Sequence, residues 1–286
     1  MADAQFTLKT PIKVEEIKEN ELYGVLLKAT GEPDAFDDGN ITAELAAAED
    51  FYERELQIRF RPTRVFSDVW GRQNGAFPSQ SLLLLPDDYD PINDIDEPAY
   101  NYDQDFWDYG RWGELNLNWR PLRDVSQLVF AFPGTMPLYS PPRHWMRLDR
   151  KFGKLQLVPS SGQAIMAVFN QFLLSRVSGT RGLPQSIFID YEVGFTPEEL
   201  CAHHKDLLKA LRLRTILSLG GVLTTIASPK GATSASLGMD GLSRSQSFGG
   251  KYGAYSGKIE LAKEQEAQIF ESWKRREKGV PLAFAG

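Results

Sequence analysis

The chain has 286 residues, 42% hydrophobic and 24% charged, enough to bury a core in one large domain or two modest ones without covalent staples. Its single cysteine, Cys201, excludes an intrachain disulfide and reads as a small core residue in a reducing compartment rather than as a nucleophile. The net charge of -6 is uneven, with 9 Lys and Arg against 24 Asp and Glu up to Gly110 and 23 against 14 after it, which suits either two solvated faces of opposite sign or a chain that stacks against copies of itself.

The N-terminus has no basic stretch followed by an apolar one, and no apolar run approaches the ~20 residues of a membrane span, so a soluble protein without a membrane partner is expected. Residues 1–39 are acidic and punctuated by Pro11, Gly31, Pro33 and Gly39, which bound any helix between Val14 and Leu27. A clearer helix opens at Asn40. Ile41, Leu45, Ala48, Tyr52 and Leu56 form one apolar stripe, with Glu44, Glu49, Asp50, Glu53 and Arg54 on the other sides, and the helix ends before Pro62. The segment Asp87 to Asp108 holds nine Asp and Glu and no Lys or Arg. It lacks the regular spacing of a calcium loop, and it reads as a solvated acidic loop or as a contact surface using Tyr89, Tyr100, Tyr102, Phe106 and Trp107, because like charges at this density resist burial.

From Pro121 to Glu192 the pattern is that of strands. Val125–Phe132 is one, and His144–Asp149 turns through Arg150-Lys151-Phe152-Gly153 into Lys154–Val158 as a hairpin. Ala164–Val177 and Ser186–Tyr191 give two more, separated by a turn-rich bend at Ser178–Pro184. Thr196-Pro197-Glu198-Glu199 then has the form of a capping box. Leu200, Leu207, Leu208, Leu211 and Thr215 follow it at helical spacing, and Gly220-Gly221 can stop the helix. Ile226 to Gly257 is a Gly/Ser-rich arm in which Leu237, Met239, Leu242, Phe248, Tyr252 and Tyr255 recur like pegs. A linker needing only flexibility has no use for such residues, since apolar side chains in a solvated coil have nothing to bury against. In a last helix Ile259, Ala262, Ile269, Phe270 and Trp273 share a face, and Lys274, Arg275, Arg276 and Lys278 crowd its end.

Motifs of chemistry are absent. Neither a phosphate-cradling G-x-x-x-x-G-K-[ST] nor G-x-G-x-x-G occurs, and G-x-S-x-G is missing. His203 and His204 are adjacent and point about 100° apart on a helix, so they cannot ligate a metal from one face, and His144 stands alone. Asp190 and Glu192 lie two apart on a strand, a pairing that a hydrolase could use but that salt bridges also explain. No catalytic residue, cofactor or metal is expected.

Three stretches resemble the head-to-tail connector, or neck adaptor, proteins of tailed bacteriophages. They are Phe188–Phe195 (FIDYEVGF) leading into Thr196–Leu200, Trp145–Val158 (WMRLDRKFGKLQLV) followed by Pro159-Ser160-Ser161-Gly162, and Met239–Gly257 (MDGLSRSQSFGGKYGAYSG) continued by Lys258-Ile259-Glu260. The resemblance covers most of the chain after about Leu122 and, more loosely, Thr42 to Arg59. It implies an α+β fold: a small helical bundle core with a β-rich insertion, an extended Gly/Ser-rich arm and a C-terminal helix. On that reading residues 1–66 supply the N-terminal part of the core, 67–195 the insertion, 196–225 the helix completing the core, and 226–286 the arm and last helix. It further implies a virion protein rather than an enzyme, in a homo-oligomeric ring, commonly of twelve subunits, that docks on the portal protein and meets a tail, tail-completion or terminator protein, with packaged DNA passing by. Leu237, Met239, Leu242, Phe248, Tyr252, Tyr255, Ile259, Ile269, Phe270 and Trp273 would then make the contacts to neighbouring subunits or portal. The acidic segment at 87–108 departs from the family pattern and the chain is long for the smallest adaptors, which leaves room for a related neck, collar or baseplate role; a tail-terminator is a further reading within the particle, and the rival outside it is a hydrolase using carboxylates such as Asp190 and Glu192 or the acidic loop at Asp87–Asp108, with or without calcium.

Overall fold

A computed structural model describes residues 7–30, 37–73, 84–103, 113–131, 137–158, 182–226, 234–239, 242–247 and 256–277. The fold is α+β and divides into two compact units, one of residues 1–56 and 197–286, the other of residues 57–196. The β-rich unit is thus an insertion between two stretches that together make the helical one.

In the helical unit α1 (Val14–Lys18), α2 (Glu21–Thr30) and α3 (Asp38–Leu56) come from the N-terminal stretch. The C-terminal stretch gives α5 (Pro197–His203), α6 (Lys205–Ile226) and α7 (Ser256–Glu277). Ile41, Leu45, Ala48, Tyr52 and Leu56 are all buried, so the stripe read from sequence is the core face of α3. Gln57 follows at φ 50°, a left-handed residue of the kind that ends helices. Leu200, Leu207, Leu208, Leu211 and Thr215 are buried as their spacing requires. The helix after Thr196 is broken at His204, whose carbonyl accepts the amides of Leu207 and Leu208 at the start of α6. It does not stop at Gly220-Gly221 but continues to Ile226, since an interior glycine costs a helix only about 1 kcal/mol. Cys201 is exposed rather than in the core, because it stands one residue, about 100°, round α5 from the buried Leu200.

α6 packs against α2, α3 and α7. Phe270 of α7 meets Phe51 and Tyr52 of α3 with ring centroids 5.8 and 5.7 Å apart, and the Arg214 guanidinium of α6 lies over the Phe51 ring. Glu266 is the polar member of this junction, accepting from the Tyr52 hydroxyl at 2.8 Å and from Arg214 Nη1 at 3.2 Å. Burial, with Glu266 beside it, pushes the Tyr52 hydroxyl well above the usual tyrosine range. Glu49 and Glu53, placed by sequence on the outer sides of α3, are buried too. Glu49 accepts the backbone amides of Lys9 and Thr10, both at 2.9 Å, and Glu53 takes the Lys9 ammonium at 2.7 Å, so the N-terminal segment lies across them.

The β-rich unit has two sheets. The larger has the order β2 (Ile95–Glu97), β1 (Thr63–Ser67), β9 (Gly182–Val193), β5 (Leu122–Ala131), β6 (Pro137–Tyr139). β3 (Tyr100–Asp103) pairs with the first half of β9, on residues that β1 leaves open. The smaller sheet is β4 (Glu114–Asn116), β8 (Lys154–Leu157), β7 (Met146–Asp149), and β7–β8 is the hairpin expected from sequence. The sheets share a core of Leu115, Leu117, Val125, Leu128, Phe130, Leu155, Leu157, Ile187, Ile189, Tyr191 and Val193. Pleating sends Phe188 and Val129 to the opposite face of the larger sheet, where they meet Ala99 and Ala131. β5 and β9 extend past the expected strands at their described ends, and Pro184 lies inside β9 rather than in a bend. The strand expected at Ala164–Val177 and residues 178–181 of the bend fall outside the described residues.

Gly194 follows β9 at φ +111°, and its amide donates to the Pro121 carbonyl at 2.9 Å. A Cβ there would run into the Arg61 carbonyl oxygen. Gly194→Ala is therefore expected to cost at least about 1–3 kcal/mol from backbone strain alone, which urea denaturation would show as a lowered midpoint with unchanged slope.

Candidate functional site

The sequence-predicted interface residues divide into three groups. Ile259 and Trp273 are buried within the helical unit, and Ile269 and Phe270 are half-buried on the same face of α7. Trp273 donates its indole N–H to Asp206 at 3.0 Å and packs edge-on against His204, with centroids 5.3 Å apart. These four residues hold α7 in place, so what α7 offers a partner is its other side, where Leu261 is 54% exposed. Phe248, Tyr252 and Tyr255 lie outside the described residues.

Leu237, Met239 and Leu242 belong to a feature that sequence reading missed. The arm is not extended throughout. β10 (Ser234–Met239) and β11 (Leu242–Ser247) pair antiparallel along their whole length, from Ser234↔Ser247 to Met239↔Leu242, as a sheet of their own. The signal was present: Asp240-Gly241 between Met239 and Leu242 is the two-residue sequence that favours a tight hairpin turn. The register sets Leu237 opposite Arg244 and Met239 opposite Leu242.

The charge asymmetry is partly spent inside the chain. Residues 1–56 carry 5 Lys and Arg against 14 Asp and Glu, residues 197–286 carry 13 against 9, and both belong to the helical unit. Arg212 of α6 reaches Glu16 of α1 at 2.5 Å. The acidic segment is likewise not simply a solvated loop. Arg64 pairs with Asp88 and Asp94, each at 2.8 Å, and β2 and β3, drawn from the same segment, are strands of the larger sheet. Among the described residues no group of three or more His, Cys, Asp or Glu is placed to hold a metal ion, and no helix is long and apolar enough to cross a membrane. Exposed apolar side chains do occur in the β-rich unit, at Trp70 (73%) on α4 (Val69–Gln73) and at Ile92 (88%). An isoleucine set among acidic residues in a turn was the available sign.

Asp190 lines a cleft of about 570 Å³ in the β-rich unit, with Arg64, Phe66, Leu128, Arg143 and Met146. Each charged group there is already matched. Arg72 clamps the Asp190 carboxylate with two bonds of 2.8 and 2.9 Å, and both side chains are buried. Arg143 holds Asp124 at 2.5 Å, and Glu192 pairs with Arg123 at 3.3 Å. The carboxylates that sequence offered to a hydrolase, Asp190 and Glu192, are thus both held in ion pairs. Glu97 is buried as well. It accepts from the Tyr191 hydroxyl and from Asn118 Nδ2, both at 3.1 Å, while its Oε1 has no hydrogen-bond partner among the described residues. Burial pushes its carboxyl above the usual carboxylate range.

No protein-family model matches the sequence, and no curated protein matches it.

Two outcomes are expected. Asp190→Asn strands a buried guanidinium and should lower unfolding stability by roughly 3–5 kcal/mol in chemical denaturation, instead of leaving the fold untouched as loss of a catalytic acid would. Glu97 binds its proton more tightly folded than unfolded. Its contribution is therefore most favourable below the ordinary carboxylate pKa of about 4.3 and declines as pH rises toward the higher folded value. Glu49 shifts in the same direction, so the measurement is a difference: the stability of Glu97→Gln relative to wild type should rise with pH through that window.

Proposed function

We propose that the protein is a structural subunit of a phage neck, a ring-forming head-to-tail connector that docks on the portal and joins capsid to tail. The observation that carries this reading is the division of the chain: a helical unit interrupted in sequence by a β-rich one, with a self-contained hairpin between its last two helices. A helical core with a β-rich insertion is the arrangement implied by the resemblance at Phe188–Leu200, Trp145–Gly162 and Met239–Glu260, which expected an extended arm where the hairpin stands. The matched charges around Asp190 favour a role in assembly over turnover. The subunit works by presenting apolar and hydrogen-bonding surface to identical neighbours, so that modest contacts are multiplied round a closed ring.

The test is assembly of the purified full chain. Mass photometry and negative-stain images should show monomers converting to rings of one symmetry as concentration rises or portal protein is added. Deleting residues 238–255 should leave a folded monomer that no longer assembles. A chain that stays monomeric under both conditions overturns the proposal.

A further inference from the structure

Four of the strands that end the two sheets of the β-rich unit have edges of a kind that resists pairing. β2 is three residues with Asp96 and Glu97, β6 is three residues beginning at Pro137, β4 is three residues, and β7 is four with Arg147 and Asp149. Short length, charge and proline are the means by which sheets avoid pairing with other chains. The β10–β11 hairpin has none of them. Each strand is six residues, the register has no bulge, no proline occurs, and Arg244 is the one charged residue in the two strands. No other described strand pairs with either edge. A lone two-stranded hairpin is marginal in water, and two such edges are a template for a further strand.

We infer that the hairpin is an intersubunit pairing element: the outer edge of β11 in one copy pairs antiparallel with the outer edge of β10 in the next. The occupant is a second copy of this chain because of what the edges require. The strands are of equal length and opposite direction, so copies related by rotation place β11 beside the following β10 in antiparallel orientation. Repeating that step satisfies both edges of every hairpin, and closing the ring leaves no edge open. A single strand from another protein would satisfy one edge and leave the other bare.

This inference rests on the ring reading, and the experiment separates the two. In a Cys201→Ser background, the full-length variant Ser245→Cys is mixed with Ser234→Cys, Ser236→Cys or Gly238→Cys, three alternate register positions of β10 that cover a stagger of two residues either way. The mixtures are brought to assembling conditions and oxidised with diamide. One mixture should give a disulfide-linked dimer as its main product, and no single variant alone should do so. Rings that form while all three mixtures stay uncross-linked overturn the hairpin pairing and leave the ring standing. Absence of any ring overturns both.

Discussion

The apolar surface of α6 sets the terms for the rest of the chain. Leu207, Leu208, Leu211, Ile216 and Leu219 are all buried, and the helix needs neighbours on several sides. α2 and α3 come from one end of the chain and α7 from the other, so the helical unit exists only when both ends meet. Burying an aliphatic side chain contributes about 1.5–3 kcal/mol, so these contacts far outweigh any single exposed ion pair. Everything between Leu56 and Pro197 is then free to form a unit of its own.

Within that unit β9 has the corresponding role. It pairs with β5 along one edge and with β1 and β3 in turn along the other. Its pleat sends Ile187, Ile189, Tyr191 and Val193 into the shared core and turns Phe188 to the far face, leaving Asp190 to be neutralised by Arg72. A buried ion pair of this kind is weak evidence for net stability but leaves neither partner dispensable. The same economy holds at Glu97, whose burial is tolerated because Tyr191 and Asn118 donate to it.

The hairpin follows a different rule. The β-rich unit blunts its sheet ends, while β10 and β11 keep two regular, nearly uncharged edges. Among the described residues no further strand joins them.

Wherever the signal was periodic, the sequence was sufficient. The α3 stripe, the α6 leucines, the β7–β8 hairpin and the shared face of α7 follow from spacing alone, because helix and strand periods dictate which residues share a face. Spacing could not say what a face would meet. Ile259, Ile269, Phe270 and Trp273 were expected to meet neighbouring subunits or portal, and the fold turns them inward within the helical unit, Phe270 against α3 and Trp273 against α6. Charge misled for the same reason: Glu49, Glu53 and Glu97 are buried because backbone amides, Lys9, Tyr191 and Asn118 come to them from distant parts of the chain. Composition hid a hairpin that the Asp240-Gly241 pair had encoded locally. Period and turn chemistry are local and survive in a linear reading, whereas partnership of charges and choice of neighbours depend on long-range contacts that exist only once the chain has folded.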